Sequence, residues 1–184
     1  MLQVAPASIQ GGWSKLAVLL FLPIFALQAA GQRASEYQLK AAFVYNFTKF
    51  IDWPGESVRS LTFQICVLGQ NPFGSELTQL TDGKVIEGHP VQVLIVTNYH
   101  LARSCQVVFI SASENAHMKE ILSALRGRSV LTVGDSQGFV DAGGMIELLV
   151  EDERMRFEVN LHAANEARLK ISAKLLSLAK AVLS

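Results

Sequence analysis

The chain has 184 residues, with sixteen basic and sixteen acidic side chains and a formal net charge of zero. That balance leaves no basic stripe for nucleic acid and no acidic tail of the kind that stays disordered. Without its N-terminal segment, about 150 residues remain, enough for one domain with its own core.

That N-terminal segment reads as a targeting signal. Lys15 precedes an apolar run of twelve residues, "LAVLLFLPIFAL" (16–27), which leads into the small residues of "QAAGQRAS". A basic residue, an apolar stretch and small residues, in that order, form a secretory pattern. Twelve residues are too few for a hydrocarbon core of about 30 Å, and Pro23 interrupts the run. Residues 1–31 are therefore expected to be a signal peptide cleaved between 26 and 34, with an uncleaved anchor as the rival. In an exported protein the two cysteines, Cys66 and Cys105, favour a disulfide. It would close a loop of about 40 residues, worth roughly 4 kcal/mol in the chain-entropy model. A reactive thiol pair is the alternative, although C-x-x-C spacing and a basic neighbour are both missing.

The domain is expected over 36–184, opening with "EYQLKAAFVYNFTKFIDWP". At 100° per residue, Leu39, Phe43, Phe47 and Phe50 fall in one arc, widened by Val44 and Ile51, which predicts a core-facing helix over 36–51. Lys40 lies inside the arc and is expected to turn its ammonium outward to solvent. Tyr45 and Trp53 fall outside it and are the candidates for surface contacts, and Pro54 ends the element. "LTFQICVLG" (61–69) is a buried strand and "NPFGSELTQL" a turn with a short helix. Residues 83–98 hold one or two strands, broken by a turn at Gly88-His89-Pro90.

"CQVVFIS" (105–111) is a further strand. The next helix runs over 111–127, capped by Ser111 or Ser113 and closed by Gly127. "SVLTVGD" returns as a strand, and 143–161 hold two strands around a charged turn at 151–154. A long helix over 162–182 closes the chain, its apolar face carrying Ala164, Ile171, Leu175, Leu178 and Val182. Strands alternating with helices give an α/β single domain, a largely parallel central sheet with helices on both faces and a late antiparallel hairpin.

Signatures of catalysis are absent. "GQNPFGS" has the Gly-x4-Gly spacing of a phosphate loop, but Ser75 and Glu76 stand where Lys and Ser or Thr are required. The four histidines lack ligand spacing, so neither a metal nor a cofactor is expected, and no G-x-S-x-G elbow presents a serine. The glycine-rich loops that follow strands, with Gly69 and Gly74 in one and Asp135 and Gly144 in another, are the places where a small ligand could sit. A ligand-binding sensor module is accordingly the alternative to the reading below.

Six segments in order, "EYQLKAAFVYNFTKFIDWP", "ICVLGQNPFG", "CQVVFIS", "VLTVGD", "GGMIEL" and "RFEVNLHAANEARLKISAKLLSLAK", resemble the YfiR-like family of bacterial periplasmic proteins. The resemblance implies a periplasmic, commonly dimeric α/β domain without enzymatic activity. It implies repression of an inner-membrane diguanylate cyclase through that enzyme's periplasmic region, which limits cyclic di-GMP and biofilm formation. An outer-membrane lipoprotein that sequesters the repressor is a second implied partner. Position by position, Cys66 and Cys105 match a disulfide typical of the family, while a second pair found in some members near the late hairpin is missing. The "RFEVNL" region matches the part associated with partner contact, which points to Phe157, Glu158 and Asn160, with Ile146 nearby.

Overall fold

The structure is a computed structural model that describes residues 36–55 and 61–184; the expected signal peptide and its cleavage region lie outside them. Helix α1 covers 36–47 and passes through a 3-10 turn at Thr48–Phe50 into strand β1, Ile51–Asp52. Then come β2 (Phe63–Leu68), α2 (Glu76–Thr81), β3 (Val85–Ile86), β4 (His89–Val96), α3 (Tyr99–Ala102) and β5 (Val107–Ile110). A 3-10 segment, Ala112–His117, leads into α4 (Met118–Leu125), followed by β6 (Leu131–Gly134), β7 (Ile146–Glu151) and β8 (Arg154–Asn160). The chain closes with α5 (Leu161–Glu166), β9 (Lys170–Ile171), α6 (Ala173–Leu176) and β10 (Ala181–Leu183).

Eight strands form one sheet in the order β10-β8-β7-β6-β5-β2-β4-β3. Pairing is parallel except at the hairpins β7–β8 and β3–β4, as the strand–helix alternation predicts. A separate two-stranded ribbon joins β1 to β9. The central strands read as unbroken apolar runs because both faces are covered. In β2, Ile65 and Val67 face α1 and α2, while Cys66 and Leu68 face α3 and α4, so successive residues enter two separate clusters.

Helix α1 keeps only part of its expected arc. Val44 and Phe47 are fully buried, Phe43 and Phe50 are half-buried, and Leu39 is 45% exposed. Lys40 departs from expectation altogether. Its side chain turns inward, and Nζ lies 2.6 Å from Oδ2 of Asp135, directly after β6. The first turn of α1 thus meets the carboxyl end of β6, where that carboxylate sits. The Tyr37 hydroxyl donates to the same oxygen at 2.9 Å. Trp53, expected at the surface, is half-buried edge-on against Phe63 with ring centroids 5.1 Å apart.

Two further expectations are corrected. The β3–β4 turn is made by Glu87 and Gly88, both left-handed (φ 52° and 79°), and His89 and Pro90 already belong to β4. The long C-terminal helix does not exist. Asn160 caps α5, accepting from the Ala163 N–H at 2.9 Å. The helix then stops at Arg168, whose φ of 60° is left-handed and ends helical winding. Of the expected apolar face, Ala164 and Leu175 are buried from two different helices, Ile171 is half-buried, and Leu178 and Val182 are exposed. Strand edges compete for these residues: β1 takes Lys170 and Ile171, and β8 takes Ala181 to Leu183. Backbone groups beside an open strand gain partners there, which outweighs a modest helical preference.

Candidate functional site: the late hairpin and the loops above the sheet

The cysteines are joined. Cys66 on β2 and Cys105 ahead of β5 form a disulfide with their Cα atoms 6.0 Å apart, buried in the cluster under α3 and α4. Their burial makes the bond a staple of neighbouring strands rather than an exposed thiol pair.

The hairpin β7–β8 turns at Asp152 and Glu153, both left-handed (φ 50° and 59°), as a two-residue turn with the twist of its strands requires. Its pairs are Ile146–Val159, Glu147–Glu158, Leu148–Phe157, Leu149–Arg156, Val150–Met155 and Glu151–Arg154. Strand alternation then separates two faces. Ile146 and Phe157 belong to the core face and are buried. The Phe157 ring packs on Phe47 and Phe43 of α1, with centroids 5.2 and 6.1 Å away. Neither side chain is open to a partner; Phe157 holds the hairpin against α1, and Ile146 lies in the same buried cluster.

The opposite face is charged. It presents Arg154, Arg156 and Glu151, all exposed, beside half-buried Leu149 and Glu158. Glu147 and Glu158 are direct neighbours across the hairpin, an arrangement that like charges oppose. Each carboxylate is compensated separately. Glu147 is buried and accepts the Gly138 and Val140 N–H groups, both at 3.2 Å. Glu158 lies 3.6 Å from Lys180 Nζ, which also reaches Glu151 at 2.9 Å. The hydrogen bond to Glu151, helped by both carboxylates, raises the Lys180 pKa above the usual lysine value. Asn160 is partly exposed, yet its side chain is occupied. Besides capping α5, it donates through Nδ2 to the Val140 carbonyl at 3.0 Å. Sequence reasoning did not single out Arg156, Glu147 or Lys180. The alternation Arg154, Arg156, Glu158, Asn160 was the available signal for the charged face, and it puts Phe157 on the other side.

The glycine-rich loops are largely closed by their own contacts. At Gly69 (φ 91°) the side chains of Ser113 and Glu114 fill the space a Cβ would need, and the Gln70 N–H donates to Ser113 Oγ at 2.9 Å. Asn71 bonds the Gly74 carbonyl and the Phe73 N–H within the same turn. Asp135 is occupied by Lys40 and Tyr37, and the Phe139 ring lies against Gly144. None of these four residues lines either of two grooves found among the described residues. One groove, of about 320 Å³, lies between α4, α5 and the 141–143 turn, where Arg126 pairs with Glu166 through two bonds of 2.8 and 2.9 Å. That pairing holds the Glu166 carboxyl below the usual range. The other, about 390 Å³, lies beyond β2 and β4, beside Tyr99, His100, His117 and Glu120. Among the described residues no three His, Cys, Asp or Glu side chains gather to hold a metal, and no helix is long and apolar enough to cross a membrane.

A family profile, DUF4154, described as YfiR/HmsC-like, matches residues 37–180, from the first turn of α1 to the lysine that clamps the hairpin. The chain belongs to the YfiR/HmsC-like family. Membership supports, at the level of the family, a periplasmic regulator of diguanylate cyclase rather than a catalyst. The chain is similar to two solved structures. A conserved domain protein from Vibrio cholerae O1 biovar El Tor N16961 is 11% identical with a TM-score of 0.51, over 69% of this chain and 57% of that one. The ABC domain in complex with L-Trp from Streptococcus pneumonia is 10% identical with a TM-score of 0.49, over 70% and 57%. This YfiR/HmsC-like chain thus spans a little over half the length of those structures, and at such identities the likeness concerns the fold alone.

Proposed function

We propose that this protein binds the periplasmic region of an inner-membrane diguanylate cyclase and represses it, limiting cyclic di-GMP synthesis and biofilm formation. The observation that carries the reading is the family match over 37–180. The contact surface we assign is the charged face of the β7–β8 hairpin, where Glu158 and Arg156 stand beside Lys180, with Asn160 at its end. Ile146 and Phe157 serve that surface from beneath, Phe157 by fixing the hairpin on α1 and Ile146 from the same buried cluster. The protein is exported by a cleaved signal peptide, works as a homodimer, and is relieved by an outer-membrane lipoprotein that sequesters it.

A repressor without chemistry acts by differential binding. It must hold the inactive cyclase more tightly than the active one. Moving a 1:99 population to 99:1 takes a preference of about 5.5 kcal/mol, within reach of an interface of ordinary size. A charged contact face also implies binding that weakens with salt.

Deleting the gene should raise cyclic di-GMP and surface attachment; unchanged levels with the cyclase present would refute the reading. Glu158→Arg and Arg156→Glu should each abolish capture of the cyclase from membrane extracts while leaving the thermal midpoint near wild type, because both side chains lie on the solvent face. Capture unaffected by either substitution would refute the assignment of this face.

A further inference from the structure

The groove of about 390 Å³ beyond β2 and β4 lies where an open α/β sheet offers a crevice. Strand β2 is parallel to β4 on one side and to β5 on the other. The chain leaves β2 through α2, whose Leu77 packs in the cluster under α1, and leaves β5 through α4, whose Ile121 packs in the cluster around the disulfide. Adjacent strands whose connections part to opposite faces leave a gap beyond their carboxyl ends, the usual ligand position in such sheets. Directly above β2 and β5 the side chains of Ser113 and Glu114 fill that gap over Gly69. Beside them it stays open, between α3 and the helical run 112–125. Buried Leu68 and Ile121 and half-buried Tyr99 give it an apolar lining, and its volume is that of a small-molecule site.

The charge of the groove has one sign. Glu114 and Glu120 line it, and among the described residues no lysine or arginine does. Arg103 lies 5.9 Å from the Tyr99 ring centroid but does not reach the groove. Neither glutamate forms an ion pair among the described residues. Glu120 is held in place by the Tyr99 hydroxyl, which donates to it at 3.1 Å, and this bond raises the Tyr99 pKa, keeping the phenol a donor. An anion would meet two like charges here. A metal ion would lack ligands, because His100, His117 and the two glutamates do not gather in threes. We infer that the groove binds a small organic amine, its ammonium held by Glu114 and Glu120 and its short apolar body laid on Tyr99, Leu68 and Ile121. An apolar body gains from leaving water, and an ammonium beside half-exposed carboxylates keeps part of its hydration. Such binding is independent of the proposed repression, since the charged hairpin stands towards the other end of the sheet.

The test titrates pentylamine and cadaverine, with pentanoate and pentanol as matched controls, into the isotope-labelled full chain at about pH 8, where an ordinary imidazole is neutral. Both amines should shift the amide resonances of residues 97–100 and 114–121 saturably. Glu114→Gln and Glu120→Gln should each raise the amine Kd about fivefold, the effect of one partly screened charge pair, with the thermal midpoint unchanged. Pentanoate should shift none of these resonances, and pentanol should bind more weakly than pentylamine by a similar factor or more. No saturable shift with either amine overturns the site. So does pentanoate binding as tightly as pentylamine, or an amine affinity that survives intact in the double variant Glu114→Gln/Glu120→Gln.

Discussion

Replacing Lys40 by Met removes the cation from a carboxylate that has almost no contact with water. The side chains of Lys40 and Asp135 are 6% and 4% exposed and meet at 2.6 Å. Oδ1 of Asp135 has no partner, so after the substitution only the Tyr37 hydroxyl would remain on that carboxylate. Breaking a buried pair from one side costs about 3–5 kcal/mol, because the surviving charge stays desolvated. For a domain of this size each kcal/mol moves the thermal midpoint by roughly 2–4 °C, so a drop of about 6–20 °C is expected. Asp135→Leu alone should also destabilise, by taking the carboxylate away from a buried ammonium. The double variant Lys40→Met/Asp135→Leu removes both charges and should recover most of the loss, since apolar replacement of a buried pair is often neutral. Urea unfolding of the four proteins closes the cycle. Singles that each cost less than about 1 kcal/mol, or a double no better than the sum of its singles, would show that the pair does not hold α1 to the sheet.

Converting both Cys66 and Cys105 to Ser should lower stability by about 4 kcal/mol, the entropy of a closed loop of some 40 residues, read as a shift in the urea midpoint. The Arg126–Glu166 link predicts a pH dependence. Because the folded Glu166 pKa is depressed, its contribution is present above the ordinary carboxylate pKa and is lost as pH falls through the folded value. The stability gap between wild type and Glu166→Gln should therefore close in acid and be constant near neutrality; a gap that persists at low pH would refute the assignment.

The strands could be read from the chain because each central one is a short apolar run stopped by glycine or a polar turn, as in "ICVLG" and "VLTVGD". Burial on both faces produces that pattern, and no tertiary knowledge is needed to see it. The last twenty residues misled for a related reason. Apolar residues spread over two short helices and two strand additions happen to recur at helical spacing, though only Ala164 and Leu175 of them are buried, and nothing local marks Arg168 as left-handed. Lys40 was misread because its partner lies 95 residues away, and snorkelling is the sensible default when no partner is in sight. At the hairpin, the strand and its turn were legible. Grouping Phe157 with Glu158 was not sound, since neighbours in a strand face opposite ways. Glu147 and Lys180 acquire their roles only once the sheet order is known.

The disulfide also divides the molecule mechanically. Between Cys66 and Cys105 lie α2, β3, β4 and α3, the entire outer end of the sheet, and β2 is the strand that joins this end to the rest. Without the bond, that end is a flap that can peel away along a single seam. With it, the segment is a ring pinned at both feet, and any opening must lift the whole ring at once. Protection against local unfolding should therefore be lost first across residues 67–104 when the bond is reduced, while the charged hairpin, which begins three strands away from β2, keeps its grip on α1.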